Sequence, residues 1–309
     1  MSFLEYLEEK GYPNTLLRKI FDKHEDYVYH FRIKGKLQIA PKWELKILQK
    51  ILKDYITDNY ASYISNFATA YIKKENISYN VSKHFGRNYF YVTDFSNFFP
   101  SIKLTNIKDY LSSIFKDEDS SSLDIIFNIG FYSDSLQFGF PSSPIISNIV
   151  MTKFDNLLFE ELKTKFPKNN IAYSRYCDDL TISSKYEISP KIINNIINSL
   201  LIKEYTYLSI NKRKTRSFEK YSQYPYITGL IPLKDRTTIG KKRFNILKLN
   251  IYLSLKNKKI KNTDLFDTDI ALSSYLSYVY LVDPHNYNRL KEYFSKRFKP
   301  LEIKNLFKK

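Results

Sequence analysis

Residues 175–183 read RYCDDLTIS, an acidic pair set between aromatic, apolar and β-branched residues. Such flanks favour strands, and two strands this close in the chain predict a hairpin with Asp178 and Asp179 at its tip. Adjacent acids alone are commonplace in solvated turns, where Asp bonds to nearby backbone. They gain chemical meaning only beside a third acid at the end of a neighbouring strand.

Asp94 supplies that acid. In YFYVTDFSNFFPSI (89–102) an apolar strand runs straight into it, although an ordinary strand-end acid would read the same way. Three carboxylates brought close repel and raise one another's pKa, a cost that divalent cations remove. Mg²⁺ takes hard oxygen ligands at roughly 2.0–2.1 Å and accepts a few carboxylates plus substrate phosphate. Two such ions, about 3.5–4 Å apart, can activate an attacking hydroxyl and stabilise a leaving pyrophosphate. The expected ligands are Asp94 and Asp178 for both ions, with Asp179 more peripheral and the carbonyl of Phe95 as a further ligand. Mn²⁺ is the expected substitute for Mg²⁺.

Composition narrows the partners. A formal charge of +17 and a pI near 9.5 point to a polyanion, with nucleic acid ahead of an anionic membrane surface or simple solubility. No apolar run reaches the roughly 18 residues that would span a bilayer. The opening MSFLEYLEEKGYPN is too acidic for a signal peptide. The single Cys177 cannot form an intramolecular disulfide, and no Cys/His zinc spacing occurs. A cytosolic, reducing location is expected. With 43% hydrophobic residues and only 7 Gly, the chain should fold along most of its length.

The wider pattern predicts helices at 42–57 (KWELKILQKILKDYIT), 143–159 and 190–201 (PKIINNIINSLL). Strands are expected at 89–93, 171–176, 180–183 and 226–231 (YITGLI). From about 236 Lys and Arg dominate, as in KKR at 241–243, so a boundary falls near 235. The class is α+β, without a repeating βαβ pattern.

In this order, a strand ending in Asp with an aromatic pair behind it, a turn carrying Ser143-Pro144 and a YxDD hairpin resemble the palm of reverse transcriptases. The resemblance covers nearly the whole chain and is strongest to bacterial retron enzymes. NVSKH (80–84) is similar to that family's NAxxH element, with Val81 in place of Ala. YITGL (226–230) resembles its VTG element, and INKRKT (210–215) its Asn-x-x-Lys-Thr segment.

The resemblance implies a right-hand polymerase: N-terminal region and fingers at 1–88, an antiparallel palm at 89–235 and a basic helical thumb at 236–309. Phe99 stands where the family carries an aromatic sugar gate, a ring that leaves no room for a 2′-hydroxyl. FGFPSSPIISN (138–148) is similar to the turn that contacts template and nucleotide, with Gly139 and Ser143 as contacts. Phe138 replaces the usual Gln there, and Gln137 lies one residue earlier. Lys36 stands in for a phosphate-binding Arg, keeping a point charge without the bidentate fork. Lys214 or its neighbour Lys212 would act near the pyrophosphate. Asn80, His84, Ile227, Thr228 and Gly229 are implied RNA contacts, with a structural role open for His84, and Lys241, Lys242 and Arg243 would follow phosphates on the thumb.

Function follows by the same implication. The chain would copy a cognate structured noncoding RNA, serving as template and primer, into DNA from deoxynucleoside triphosphates. Priming from a 2′-hydroxyl at a guanosine would yield a branched RNA–DNA product, in anti-phage defence with a separately encoded effector protein. A group II intron or defence-associated reverse transcriptase, or an inactive RNA-binding scaffold, are the competing readings.

Overall fold

The computed structural model describes all residues except 34, 74, 220–224, 260–268, 301–302, 304–305 and 308–309, and the side chains of 14, 16, 36, 269 and 270 also fall outside it. Strands β1 (Val28–Ile33) and β2 (Lys36–Pro41) form an antiparallel hairpin turned at Gly35, whose φ of +79° suits glycine. The palm sheet contains β3 (Tyr89–Asp94), β4 (Ala172–Tyr176), β5 (Asp179–Ser184) and β6 (Arg216–Glu219) in the order β4-β5-β3-β6. Every pairing in it is antiparallel, and β3 sits inside the sheet against both β5 and β6. The expected strands at 89–93, 171–176 and 180–183 thus form within a residue or two.

Helices pack against this sheet. Trp43–Asn59 buries Leu45, Leu48, Leu52 and Ile56, and Pro190–Glu204 buries Ile193, Ile196, Ile197, Leu200 and Leu201. Both stripes follow the helical period read from the sequence. They join Leu180 and Ile182 of β5 in one large hydrophobic core. The single helix expected over 143–159 is two, Ser143–Val150 and Thr152–Lys165, interrupted at Met151.

The expected strand at 226–231 is a turn. Ile227 and Leu230 exchange backbone hydrogen bonds of 2.8 and 3.0 Å around Thr228 (φ +46°) and Gly229 (φ +88°). Two successive left-handed residues reverse the chain more tightly than a strand allows. Only the short β7 (Ile231–Pro232) follows, paired with β8 (Thr237–Thr238). A second core gathers Val81, Phe90, Ile227 and Leu230 with residues of the helices Lys241–Leu255, Asp269–Val282 and Pro284–Ser295. Buried Asp283 ties this region together, accepting from Ile239 N at 2.9 Å, Thr238 Oγ1 at 2.8 Å and Asn286 N at 3.1 Å. No helix among the described residues is long and apolar enough to cross a membrane.

Candidate active site

The acids are brought together by backbone pairing. Asp94 closes β3 directly opposite Asp179, the first residue of β5. The Phe95 N–H donates to the Asp178 carbonyl at 3.1 Å, and the Asn211 N–H donates to the Asp94 carbonyl at 2.8 Å. Between Tyr176 and Asp179, which are register partners, the loop consists of Cys177 and Asp178 alone. Cys177 has a φ of +59°, a strained value for a residue other than glycine.

What holds this turn was not expected. The Arg175 guanidinium is fully buried and donates to both oxygens of Asp155, to Asn148 Oδ1 at 3.0 Å and to the Cys177 carbonyl at 3.1 Å. A charged residue between core positions of a strand was the one signal of it. Burial, then the charge of Asp178, pushes the Cys177 thiol up to about 12, so it packs as an uncharged group.

Electrostatics mark the same spot. Burial raises the Asp178 carboxyl, with Asp94 adding to the effect, and burial with Asp178 and Asp94 pushes Asp179 up to about 6. Lys214 Nζ lies 2.5 Å from Asp94 Oδ2, and that hydrogen bond raises the ammonium pKa. Asp94 Oδ1 is buried with no hydrogen-bond partner among the described residues. Such an oxygen fits a divalent cation, since no described residue satisfies it. No group of three or more His, Cys, Asp or Glu side chains among the described residues is gathered closely enough to hold an ion unaided. Substrate oxygens or water would have to complete any coordination here.

Two clefts meet at Asp94 and Lys214. One of about 1020 Å³ is lined by Asp178, Asn211 and Phe138 together with residues of β2. The other, about 380 Å³, is lined by Asp179, Arg216, Tyr226, Thr228 and Gly229. Asp178 therefore borders the larger cleft and Asp179 the smaller.

Several expected contacts are placed otherwise. Asn80 and His84 are buried at 1% and 0% exposure, so they cannot meet RNA directly. Asn80 Oδ1 accepts from Ser174 Oγ at 2.7 Å and Thr69 Oγ1 at 2.8 Å, while its Nδ2 donates to Thr228 Oγ1 at 3.2 Å. His84 lies between Ser183 Oγ at 2.6 Å and Ser174 Oγ at 2.8 Å. Because Ser174 gives its proton to Asn80, it accepts from His84 Nε2–H, which leaves Nδ1 to accept from Ser183. The two motifs thus form one buried network that fixes the 227–230 turn against the palm. Ile227 is core at 1% exposure, whereas Thr228 and Gly229 reach the smaller cleft.

Gly139 is exposed and closely approached by β2: a Cβ there would lie 2.6 Å from the Ile39 carbonyl oxygen and 3.1 Å from Ala40 Cα. It lets β2 seat on the turn. Ser143 is fully buried, its Oγ accepting from the Gln137 N–H at 3.1 Å. Phe95 and Phe99 have buried rings, and Phe99 meets Phe138 edge-on. Arg243 donates to the Gly229 carbonyl and covers the Tyr226 ring at 4.9 Å, a latch on the turn, while Lys241 and Lys242 are exposed. The side chain of Lys36 lies outside the described residues. Sequence reading also missed a 450 Å³ cleft lined by Arg236, Lys241, Phe244, His285 and Arg289, whose cations are too scattered along the chain to read as a group.

An antiparallel palm with paired acids at its strand ends, flanked by a fingers hairpin and a helical thumb, defines a right-hand template-copying polymerase. The reverse transcriptase (RNA-dependent DNA polymerase) family matches residues 25–261. The Retron Ec73 reverse transcriptase of Escherichia coli is 31% identical over 267 residues, 82% of this chain and 81% of the relative. The Retron Ec86 reverse transcriptase of the same organism is 27% identical, over 83% of this chain and 74% of the relative. The chain belongs to the reverse transcriptase family, among the bacterial retron reverse transcriptases. The fold is shared with telomerase from Candida albicans, solved with the TWJ fragment of telomeric RNA: TM-score 0.53 at 12% identity, covering 96% of this chain and 60% of that one. This chain therefore spans less than two thirds of that telomerase. Telomerase of Candida tropicalis gives a TM-score of 0.50 at 10% identity, covering 96% of this chain and 67% of that one.

Proposed function

We propose that this chain copies a cognate structured noncoding RNA into DNA by two-metal nucleotidyl transfer at Asp94, Asp178 and Asp179. The observation that carries this reading is the buried, unpartnered Oδ1 of Asp94, in a residue that borders both clefts. Bound Mg²⁺ ions, or Mn²⁺ in their place, would supply positive charge to activate the attacking hydroxyl and stabilise the leaving pyrophosphate. Asp94 and Asp178 would hold them on the larger cleft, where the deoxynucleoside triphosphate would enter, with Asp179 on the primer side. Lys214 clamps or protonates the leaving pyrophosphate. Phe99 is the sugar gate, and the Phe95 carbonyl is a further ligand.

Residues 1–88 act as N-terminal region and fingers, 89–235 as palm and 236–309 as thumb. The thumb follows RNA phosphates through Lys241 and Lys242, and the cationic cleft of Arg236 and Arg289 adds to that surface. Thr228 and Gly229 face the RNA–DNA product. Likeness to retron enzymes supports the finer reading: 2′-hydroxyl priming, a branched RNA–DNA product, and a cytoplasmic role in anti-phage defence beside an effector protein.

Primer extension on an RNA template with Mg²⁺, comparing the natural chain with Asp178→Asn, tests the assignment. Extension is expected only from the natural chain, and equal activity in both would end the catalytic reading. Inverted repeats encoding a structured RNA upstream of the gene are expected on the retron reading, and their absence would favour an intron or defence enzyme.

A further inference from the structure

The larger cleft has two chemically different sets of lining residues. Asp94, Asp178, Asn211 and Lys214 form one, and Ile33, Leu37 and Phe138 contribute to the other. These three apolar side chains are 55%, 55% and 52% exposed. A cleft lined by both exposed apolar side chains and acids suits a ligand with a charged end and a flat or apolar body.

Phe138 is the pinned member of the apolar set. On one side Gly139 presses against the β2 backbone, and on the other the Gln137 N–H is bonded to Ser143 Oγ at 3.1 Å. The Gln137 amide nitrogen is committed to the carbonyls of Tyr132 at 3.2 Å and Ser135 at 3.4 Å. It cannot supply a donor to the cleft in place of Phe138. The Phe138 ring stands edge-on to Phe99, with centroids 5.2 Å apart and planes at 89°. Phe99 is only 4% exposed and also touches Phe98, at 5.4 Å between centroids. Phe138, with its larger exposure, is thus the ring of the pair that a sugar in the cleft meets first.

We propose that Phe138 is a specificity-determining residue for the incoming nucleotide. With Phe99 it forms a two-ring gate, and selection against a 2′-hydroxyl depends on the pair. This rests on reading the cleft as the nucleotide site and Phe99 as its gate. Of the two rings only Phe138 lines the cleft, with Phe99 paired edge-on behind it, so removing Phe138 opens the cleft wall and frees the Phe99 ring to shift, which admits the extra oxygen. A Gln in its place would give the wall a donor but no ring.

The test is single-nucleotide incorporation on an RNA template, measuring kcat/KM for a deoxynucleotide and its matching ribonucleotide. The variants are Phe138→Ala, Phe138→Gln, Phe99→Val and the double Phe99→Val/Phe138→Ala. Phe138→Ala is expected to lower the deoxy-to-ribo ratio by roughly 2- to 10-fold, as loss of an aromatic pair would. Phe138→Gln should do the same, and the double variant should select no worse than Phe99→Val alone, because the rings act as a unit. Equal effects of Phe138→Ala on both nucleotides, with Phe99→Val still relaxing selection, would overturn the pair and leave the Phe99 gate standing. An unchanged ratio in Phe99→Val would remove the gate reading itself, and the pair with it.

Discussion

Arg175 holds the strained turn of the acidic hairpin from behind, its Nη1 3.1 Å from the Cys177 carbonyl while its Nη2 lies 2.9 Å from Asp155 Oδ2. Neither side chain of the ion pair is exposed at all. Its attraction is offset by desolvation, so the pair is better understood as a fixture than as a source of stability. Removing one partner is another matter, because an uncompensated charge is left behind.

Arg175→Met is therefore expected to destabilise the fold by roughly 3–5 kcal/mol in denaturant unfolding. Arg175→Lys keeps the charge but lacks the fork that reaches Asp155, Asn148 and Cys177 together. It should recover part of the stability while primer extension stays well below that of the natural chain. Extension equal to the natural chain would show that the turn needs no such support.

Gly139 offers a test of how the fingers hairpin docks. A methyl there would meet backbone atoms of β2, at 2.6 Å from the Ile39 carbonyl oxygen, and neither strand nor turn can yield cheaply. Gly139→Ala should cost about 1–3 kcal/mol, as overpacking does, and should speed amide exchange in β1 and β2. Gly130→Ala is the control, since its near neighbour is the flexible Ile146 Cδ1 at 2.8 Å. A smaller loss is expected there.

These residues show where one-dimensional reading succeeds. Strand β3 carries an aromatic and β-branched run up to Asp94, and the 190–204 helix carries a clean stripe, so local pattern and tertiary burial agree. The acids were legible because Asp94 and Asp179 sit at strand ends and Asp178 in the two-residue turn between strands. Asn80 and His84 misled because their polar groups look available in a sequence but are spent on partners distant in the chain, and Ser143 because its hydroxyl is buried against the nearby Gln137 N–H. That β2 closely approaches Gly139 is a matter of packing that no local pattern shows. YITGLI looked like a strand by composition until two left-handed residues turned it.

His84 gives stability a pH dependence of defined sign. Burial, with Arg87 and Lys83 adding to it, depresses the imidazole from 6.5 to about 3. The unfolded chain therefore takes up a proton first as pH falls, and stability contributed by neutral His84 is lost from about pH 6.5 downward. The slope approaches roughly 1.4 kcal/mol per pH unit. Measured by unfolding, the cost of His84→Gln should be about 2 kcal/mol smaller at pH 5 than at pH 7.5. An equal cost at both values would mean that the imidazole is not held neutral.

Lys212 and Lys214 could not be told apart by sequence, and position alone separates them. Lys214 pairs with Asp94 and borders both clefts, whereas Lys212 is exposed and lines neither. A proton delivered to the leaving pyrophosphate contributes typically 10²–10⁴-fold to rate. On that basis Lys214→Ala should lower kcat by about that range, and Lys212→Ala should leave it within a few fold. Lys214→Arg distinguishes clamp from acid: a guanidinium keeps the charge but does not release its proton. Substantial activity in the Arg variant would assign Lys214 as a clamp, and loss equal to that of the Ala variant would assign it as the acid. Equal kcat in Lys214→Ala and the natural chain would remove Lys214 from the chemistry.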